Sequence, residues 1–223
     1  MLIELKNVSV KLGGRQILEN INLKLTPGQI TAIVGPSGCG LSVLLKIAAG
    51  LIPPSSGQIL YDGRQLESFP EDELRKLQTR TGFMFQDAAL WANQPLFANF
   101  DLPLQAKYPQ MDAEERKNKI NTSLQQFGFS VDTQKRPADI SLGQKKFASF
   151  LRAVIPGPEA LLLDEPVAGM DRIWADRIWN ELSSLKASGT TIALTSNQHE
   201  EDFELADSLV FLKGGRITET PTT

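Results

Sequence analysis

The sequence predicts an α/β fold: a mainly parallel sheet, an antiparallel β subdomain and an inserted helical subdomain. Three observations predict it. Short apolar, β-branched runs alternate with helical stretches over residues 29–50 and again from 159 onward, and strands separated by helices return in parallel. Residues 2–10 and 16–25 alternate apolar and polar around Gly13-Gly14, the pattern of an antiparallel hairpin. From about 87 to 157 strand signals thin out and helical ones take over. The expected organisation is one domain, 1–223, with an α/β core at 1–86 and 158–223 and a helical subdomain at 87–157.

In order along the chain, Pro27-Gly28 makes a turn, and residues 29–34 (QITAIV) form a short strand that reads as buried. A glycine-rich loop follows, then a helix over about 41–50, closed by Pro53-Pro54-Ser55-Ser56-Gly57. A strand at 58–61 meets the turn pair Asp62-Gly63. Residues 112–127 read as a helix with Asp112 as N-cap and acids in its first turn, and 142–154 as a second. The core resumes with strand 159–163, helix 171–187, strand 190–195, helix 199–206 and strand 208–212. Gly214-Gly215 turns the chain into a last short strand, and Thr218 to Thr223 is expected to fray.

Composition narrows the function classes. A net charge of −3 argues against a general nucleic-acid binder, which carries a basic face. Cys39 is the only cysteine, so no internal disulfide forms, in keeping with a reducing compartment. No run of 18 apolar residues is present, and Glu4 and Lys6 break the N-terminal stretch where a secretory signal would be apolar. The expectation is a cytoplasmic protein that reaches a membrane only through a partner.

Residues Gly35 to Ser42 read GPSGCGLS, after a strand and before a helix. The P-loop pattern, G-x-x-x-x-G-K-[ST], has that context. Glycines let the backbone fold tightly so that its N–H groups face phosphates, and the helix N-terminus adds positive potential. Gly35, Pro36, Ser37, Gly38, Cys39, Gly40, Leu41 and Ser42 are therefore the candidate phosphate-binding residues, with Ser42 placed to ligate magnesium. The lysine of the pattern is replaced by Leu41. A lysine beside the phosphates contributes on the order of several kcal/mol at an effective dielectric of about 20, and leucine supplies none of it. Lys46, one turn along the helix, is poorly placed to substitute.

A second constellation lies at 159–166, EALLLDEP: an apolar strand ending in two acids. Ligands of open parallel sheets bind off that end. Asp164 would hold magnesium through water, and Glu165 would act as general base on an attacking water.

With both elements in hand, the chain resembles the ABC ATPase family nearly end to end, on a P-loop NTPase core. Phe85-Gln86 resembles the Q-loop, where the family's glutamine coordinates magnesium and senses a membrane subunit. Ile140-Ser141-Leu142-Gly143-Gln144 resembles the signature L-S-G-G-Q, and Ala168-Gly169-Met170-Asp171 the D-loop. Leu205-Ala206-Asp207 and Leu212-Lys213-Gly214-Gly215-Arg216 resemble the family's C-terminal strand and turn. The resemblance implies ATP and Mg2+ as cofactors and a head-to-tail dimer, with one chain's P-loop facing the other's Ser141, Gly143 and Gln144. It also implies an integral membrane permease subunit as partner, and a location on the inner face of the cell membrane. The segment from Trp91 onward lies where the family meets that partner, and FQDAALW with FDLPL is similar to ATPases of lipid-trafficking, MCE-type systems.

Four family positions differ. The adenine-stacking aromatic falls on Leu12, the P-loop lysine on Leu41, the first signature glycine on Leu142 and the switch histidine on Asn197. His199, the only histidine, lies two residues further on and is read as facing elsewhere; Asn197 can hydrogen-bond a phosphate but carries no charge. Ser42, Gln86, Asp164 and Glu165 remain, so the magnesium and water side survives while the charge-neutralising side is weakened. Glu165, Gln86 and Asn197 are the candidate catalytic residues. Three functions stay open: an ATPase powering a transporter as a homodimer, a degenerate subunit paired with a competent sister chain, or a pseudo-ATPase coupling module. Trp174, Trp179 and Arg152 read as structural, and Cys39 as a variable loop position.

Overall fold

The computed structural model describes residues 1–197 and 203–218. The chain opens with β1 (Ile3–Leu12) and β2 (Arg15–Leu25), paired antiparallel. In β1 the buried residues change phase, from Ile3 and Leu5 to Val8 and Val10. The register slips at the same place, and Asn7 takes a left-handed backbone (φ 51) to absorb the extra residue, as a β-bulge requires. Asn20, also at φ 51, does the same for β2. Beyond them come β3 (Ile30–Val34), α1 (Leu41–Ala48), β4 (Ser56–Tyr61) and β5 (Arg64–Gln65). One sheet is wholly antiparallel, in the order β2-β1-β4-β5.

Next are α2 (Glu71–Thr79) and β6 (Thr81–Met84), and then the helical stretch α3 (Leu96–Lys107), α4 (Ala113–Gln126) and α5 (Leu142–Val154). The chain ends with β7 (Ala160–Leu163), α6 (Arg172–Ala187), β8 (Thr191–Ser196), β9 (Ser208–Lys213) and β10 (Arg216–Thr218). The second sheet has the order β10-β9-β3-β8-β7-β6. All of its neighbours run parallel except β10, which folds back on β9.

The apolar strands are explained by helices and sheet on both faces. Ile33, Leu162 and Ala193 face a core shared with α1 and the antiparallel sheet. Ala32, Leu161, Leu163, Ile192 and Leu194 face a second core built with α3 to α6. A strand buried on both sides has no polar face to show.

Most expected elements are present, with ends shifted by one or two residues. The α2, β6 and α3 elements were not expected. In α2 the apolar face is just Leu74 and Leu77, of which only Leu77 is buried, and α3 carries Pro103 inside and an exposed Leu102, which blurs its stripe. The helix expected over 199–206 is corrected in its described part. Residues 203–206 form a turn closed by the Ala206 N–H on the Phe203 carbonyl, and Asp207 N–H is already bonded to the Ile30 carbonyl (2.8 Å) for entry into β9. Residues 199–202, with His199, lie outside the described residues. Thr218, expected to fray, pairs with Phe211 in β10.

Candidate functional site

Four neighbouring strands, β3, β8, β7 and β6, end at one edge of the parallel sheet. Val34 lies beside Ser196, and Leu163 beside both Leu194 and Met84. The loops that start at Gly35, Asn197, Asp164 and Phe85 therefore emerge together, where an open parallel sheet binds its ligand. Fold topology thus gathers residues up to 160 positions apart: Asn197 Nδ2 donates to Ser37 Oγ at 3.3 Å.

The loop from Gly35 is shaped by its surroundings. A Cβ at position 35 would lie 2.2 Å from the Leu212 carbonyl oxygen, so β9 alone excludes any larger residue. The Gly35 N–H donates to the Ser196 carbonyl (3.3 Å), tying the loop to the end of β8. Gly40, at φ 111, turns the chain into α1, with a backbone only glycine adopts readily. No side chain caps α1, and its first turn holds no acid. The first N–H groups of such a helix have no acceptor in a preceding turn, which is the chemistry a phosphate cradle uses, and the Cys39 sulfur lies by the Leu41 N–H. Pro36, Ser37 and Gly38 are exposed above it, Ser42 is half-buried, and Cys39 is buried, its thiol pushed up by desolvation. The Leu41 side chain takes no part in that cradle: the residue is 6% exposed and packs in the core under α1. The Lys46 amine lies 6.0 Å over the Phe85 ring.

The two acids are held differently. Asp164 is 2% exposed; its N–H donates to the Met84 carbonyl (2.9 Å), and its Oδ1 accepts from the Thr195 hydroxyl (2.8 Å). Thr195 Oγ1 also accepts from the Glu165 N–H (3.0 Å). One hydroxyl on β8 thus sets both acids. Glu165 itself is left-handed (φ 47), and its carbonyl accepts from Lys146 Nζ (2.9 Å). Burial lowers the Lys146 pKa, and the nearby carboxylates of Glu165 and Asp164 oppose that shift. A cavity of about 290 Å³ opens beside Glu165, bordered by Gly169, Met170, Trp179, Thr195 and Asn197. Gln86 is exposed at the start of its loop. Arg152 and Ser149 of α5 hold the carbonyls of Ala88 and Ala89 just beyond it (2.7–3.1 Å). The Ser42 hydroxyl, the Gln86 amide oxygen and the Asp164 carboxylate are hard oxygen donors of the kind magnesium takes.

Ser141, Gly143 and Gln144 sit apart, at the start of α5. Ser141 and Gln144 form a capping box, each side chain accepting from the other's N–H (3.2 and 3.0 Å). The Ser141 hydroxyl hydrogen remains able to donate. Gly143 has a reason within the chain as well: a Cβ there would approach Trp174 to 3.0 Å. Leu142 is 57% exposed, and Leu12, at the tip of the β1–β2 hairpin, is 48% exposed. Ile17 and Leu18 of β2 lie against Gly40, so the second strand of this hairpin borders the loop.

Trp174 packs as expected, against Phe129 and Phe147. Two residues escaped the reading of the sequence. Thr195 was signalled only as one of three hydroxyl residues, with Thr191 and Ser196, in a strand that reads as buried. Lys146 was signalled by its place on the stripe of α5 that also buries Gly143, Phe147 and Phe150.

A phosphate-shaped loop beside a strand ending in acids defines a P-loop nucleotide-binding fold. The chain belongs to the ABC transporter family, which matches it over residues 18–168. It is 32% identical over 223 residues to the intermembrane phospholipid transport system ATP-binding protein MlaF of Haemophilus influenzae, covering 100% of this chain and 84% of that protein. It is 31% identical over 223 residues to the Fe(3+) ions import ATP-binding protein FbpC of Streptomyces avermitilis, where it spans 63% of that protein's length. Among solved structures it superposes on a dimeric, post-hydrolysis ATP-binding cassette, MJ0796, bound to ADP and Pi, with a TM-score of 0.88, 28% identity and 97% of each chain covered. No helix among the described residues is long and apolar enough to cross a membrane.

Proposed function

We propose that this chain couples Mg-ATP binding and slow hydrolysis to transport through an integral membrane permease subunit, from the cytoplasmic face, with a weakened ATP site. The observation that carries the reading is the contrast across the site. The Asp164–Thr195–Glu165 network is complete, while Leu41 is turned into the core where the family has a lysine. A purely structural module has no physical need for a buried aspartate and a base held in a left-handed backbone.

Gly35 to Gly40 and the N-terminus of α1 would hold the phosphates, and Leu12 would cover the base without π stacking. Ser42, Gln86 and Asp164 would hold magnesium, which when bound neutralises phosphate charge. Glu165 would accept a proton from the attacking water, with Asn197 hydrogen-bonded nearby. Ser141, Gly143 and Gln144 would serve the P-loop of a second subunit, as the dimeric cassette relative supports. The chain acts as one domain, with residues 87–157 as its helical part.

A second reading has its own support. With Leu41 buried and Leu142 exposed on the signature, the chain also suits the degenerate half of a heterodimer, or a pseudo-ATPase coupling module. Subunits named for phospholipid and for iron match at 32% and 31%, so similarity alone selects neither cargo. Steady-state Mg-ATP hydrolysis by the purified chain, with Glu165→Gln as control, separates the readings. Turnover lost in the control supports the ATPase. Turnover no higher than the control supports the degenerate subunit.

A further inference from the structure

We propose that Lys146 is a positioning residue that ties the helix bearing the signature to the backbone of Glu165, so that α5 and the candidate base move as one unit. The functional consequence rests on the reading above; the contact does not.

A lysine that is 4% exposed is costly unless its ammonium is satisfied. Lys146 could have pointed outward from α5, as Lys145 beside it does in part, yet it lies on the buried stripe with Phe147 and Phe150. Its Nζ reaches the main-chain carbonyl of Glu165, 19 residues away, at 2.9 Å. That carbonyl belongs to a non-glycine residue at φ 47. Such a backbone is strained and persists only where its surroundings over-determine it. They do so here from two elements. Thr195 of β8 accepts from the Glu165 N–H, and Lys146 of α5 donates to the Glu165 carbonyl. Both polar backbone atoms of the candidate base are therefore pinned by side chains.

The helix that supplies the lysine begins at Ser141, five residues earlier and so roughly 7 Å along the axis. In a head-to-tail dimer Ser141 faces the partner's nucleotide while Glu165 faces its own. Lys146 is then a rigid connection, inside one chain, between the donor of one composite site and the base of the other. A displacement of α5 on closing over the partner's nucleotide would be delivered to the carbonyl of Glu165.

The test compares the wild-type chain with Lys146→Met, which keeps the apolar stem, and Lys146→Arg, which keeps the donor. Amide hydrogen exchange is followed first, without nucleotide. Lys146→Met should speed exchange in peptides covering 163–170 by about tenfold, leave α6 and the antiparallel sheet unchanged, and be restored by Lys146→Arg. Binding of a fluorescent ATP analogue with magnesium, and single-turnover hydrolysis, follow. In Lys146→Met, affinity should hold within about twofold while the hydrolysis rate falls by about tenfold. Unchanged exchange at 163–170 in Lys146→Met overturns the proposal. So does faster exchange across the whole molecule in both variants, which marks a packing role. A wild-type chain that binds no Mg-ATP overturns the functional reading and the link between sites, while the exchange data still decide the contact.

Discussion

Leu41 stands where the P-loop pattern has its lysine. With its side chain buried, phosphate binding on the proposed reading would rest on backbone N–H groups and the start of α1. Leu41→Lys should raise Mg-ATP affinity by tenfold or more, on the order of the charge interaction restored at an effective dielectric of about 20. The same change removes a core leucine and should cost about 2–3 kcal/mol in the absence of nucleotide. Nucleotide titration and denaturant unfolding of the variant measure both, and unchanged affinity would show that the loop does not hold phosphate in the P-loop manner. At Asp164 the expectation is sharper. Asp164→Ala leaves the Thr195 hydroxyl without its acceptor in a buried position, costing about 1–3 kcal/mol, and should abolish the magnesium dependence of nucleotide binding. Ser42→Ala should lose the magnesium dependence with little change in stability. Equal affinity with and without magnesium in the wild-type chain would remove the basis for both assignments.

Between elements, the tie that responds to pH joins the end of α2 to the start of β7. Arg80 Nε and Nη2 grip both oxygens of Glu159 at 2.7 and 2.6 Å, and Arg80 also lies 3.5 Å from Asp62 of the β4–β5 turn. The hydrogen bond from Arg80 holds the Glu159 carboxyl below its ordinary value of 4.5. A depressed carboxylate stabilises the fold above the ordinary value, and that contribution is lost as pH falls through the lower folded one. Because both groups are substantially exposed, the contribution is about 1 kcal/mol or less. Denaturant midpoints measured from pH 6 down to pH 3 should show a steeper loss in the wild-type chain than in Glu159→Gln, and identical slopes would remove Glu159 from the account. At this scale the sequence was partly legible. The Asp112 cap of α4 is a local pattern and was read correctly; the structure adds its capping box with Glu115. The α3 helix was missed because Pro103 and an exposed Leu102 mask its periodicity, and its place is set by packing against α4 and α5 rather than by its own pattern.

For the molecule as a whole, the prediction concerns assembly. On the proposed reading, the signature at the start of α5 serves the 35–42 loop of a second chain. Glu165→Gln, which on the proposed reading removes the base and leaves binding in place, should elute at twice the monomer mass when Mg-ATP is present and as a monomer without it. A monomer under both conditions would favour pairing with a sister chain over a homodimer.

The sequence by itself determined the family and the two-sheet organisation, and it marked out the glycine-rich loop, the two acids and the four positions proposed as replaced. Those signals are local: glycines, an apolar run and two carboxylates must stand at fixed spacing for a strand-loop-helix to present backbone N–H groups. Only the tertiary structure decided that Leu41 faces the core, that β9 enforces Gly35, and that Thr195 and Lys146 fix the backbone of Glu165 from two directions. Those partners lie 19 to 177 residues apart, and no local pattern encodes a contact that exists only once the sheet has brought its strand ends together.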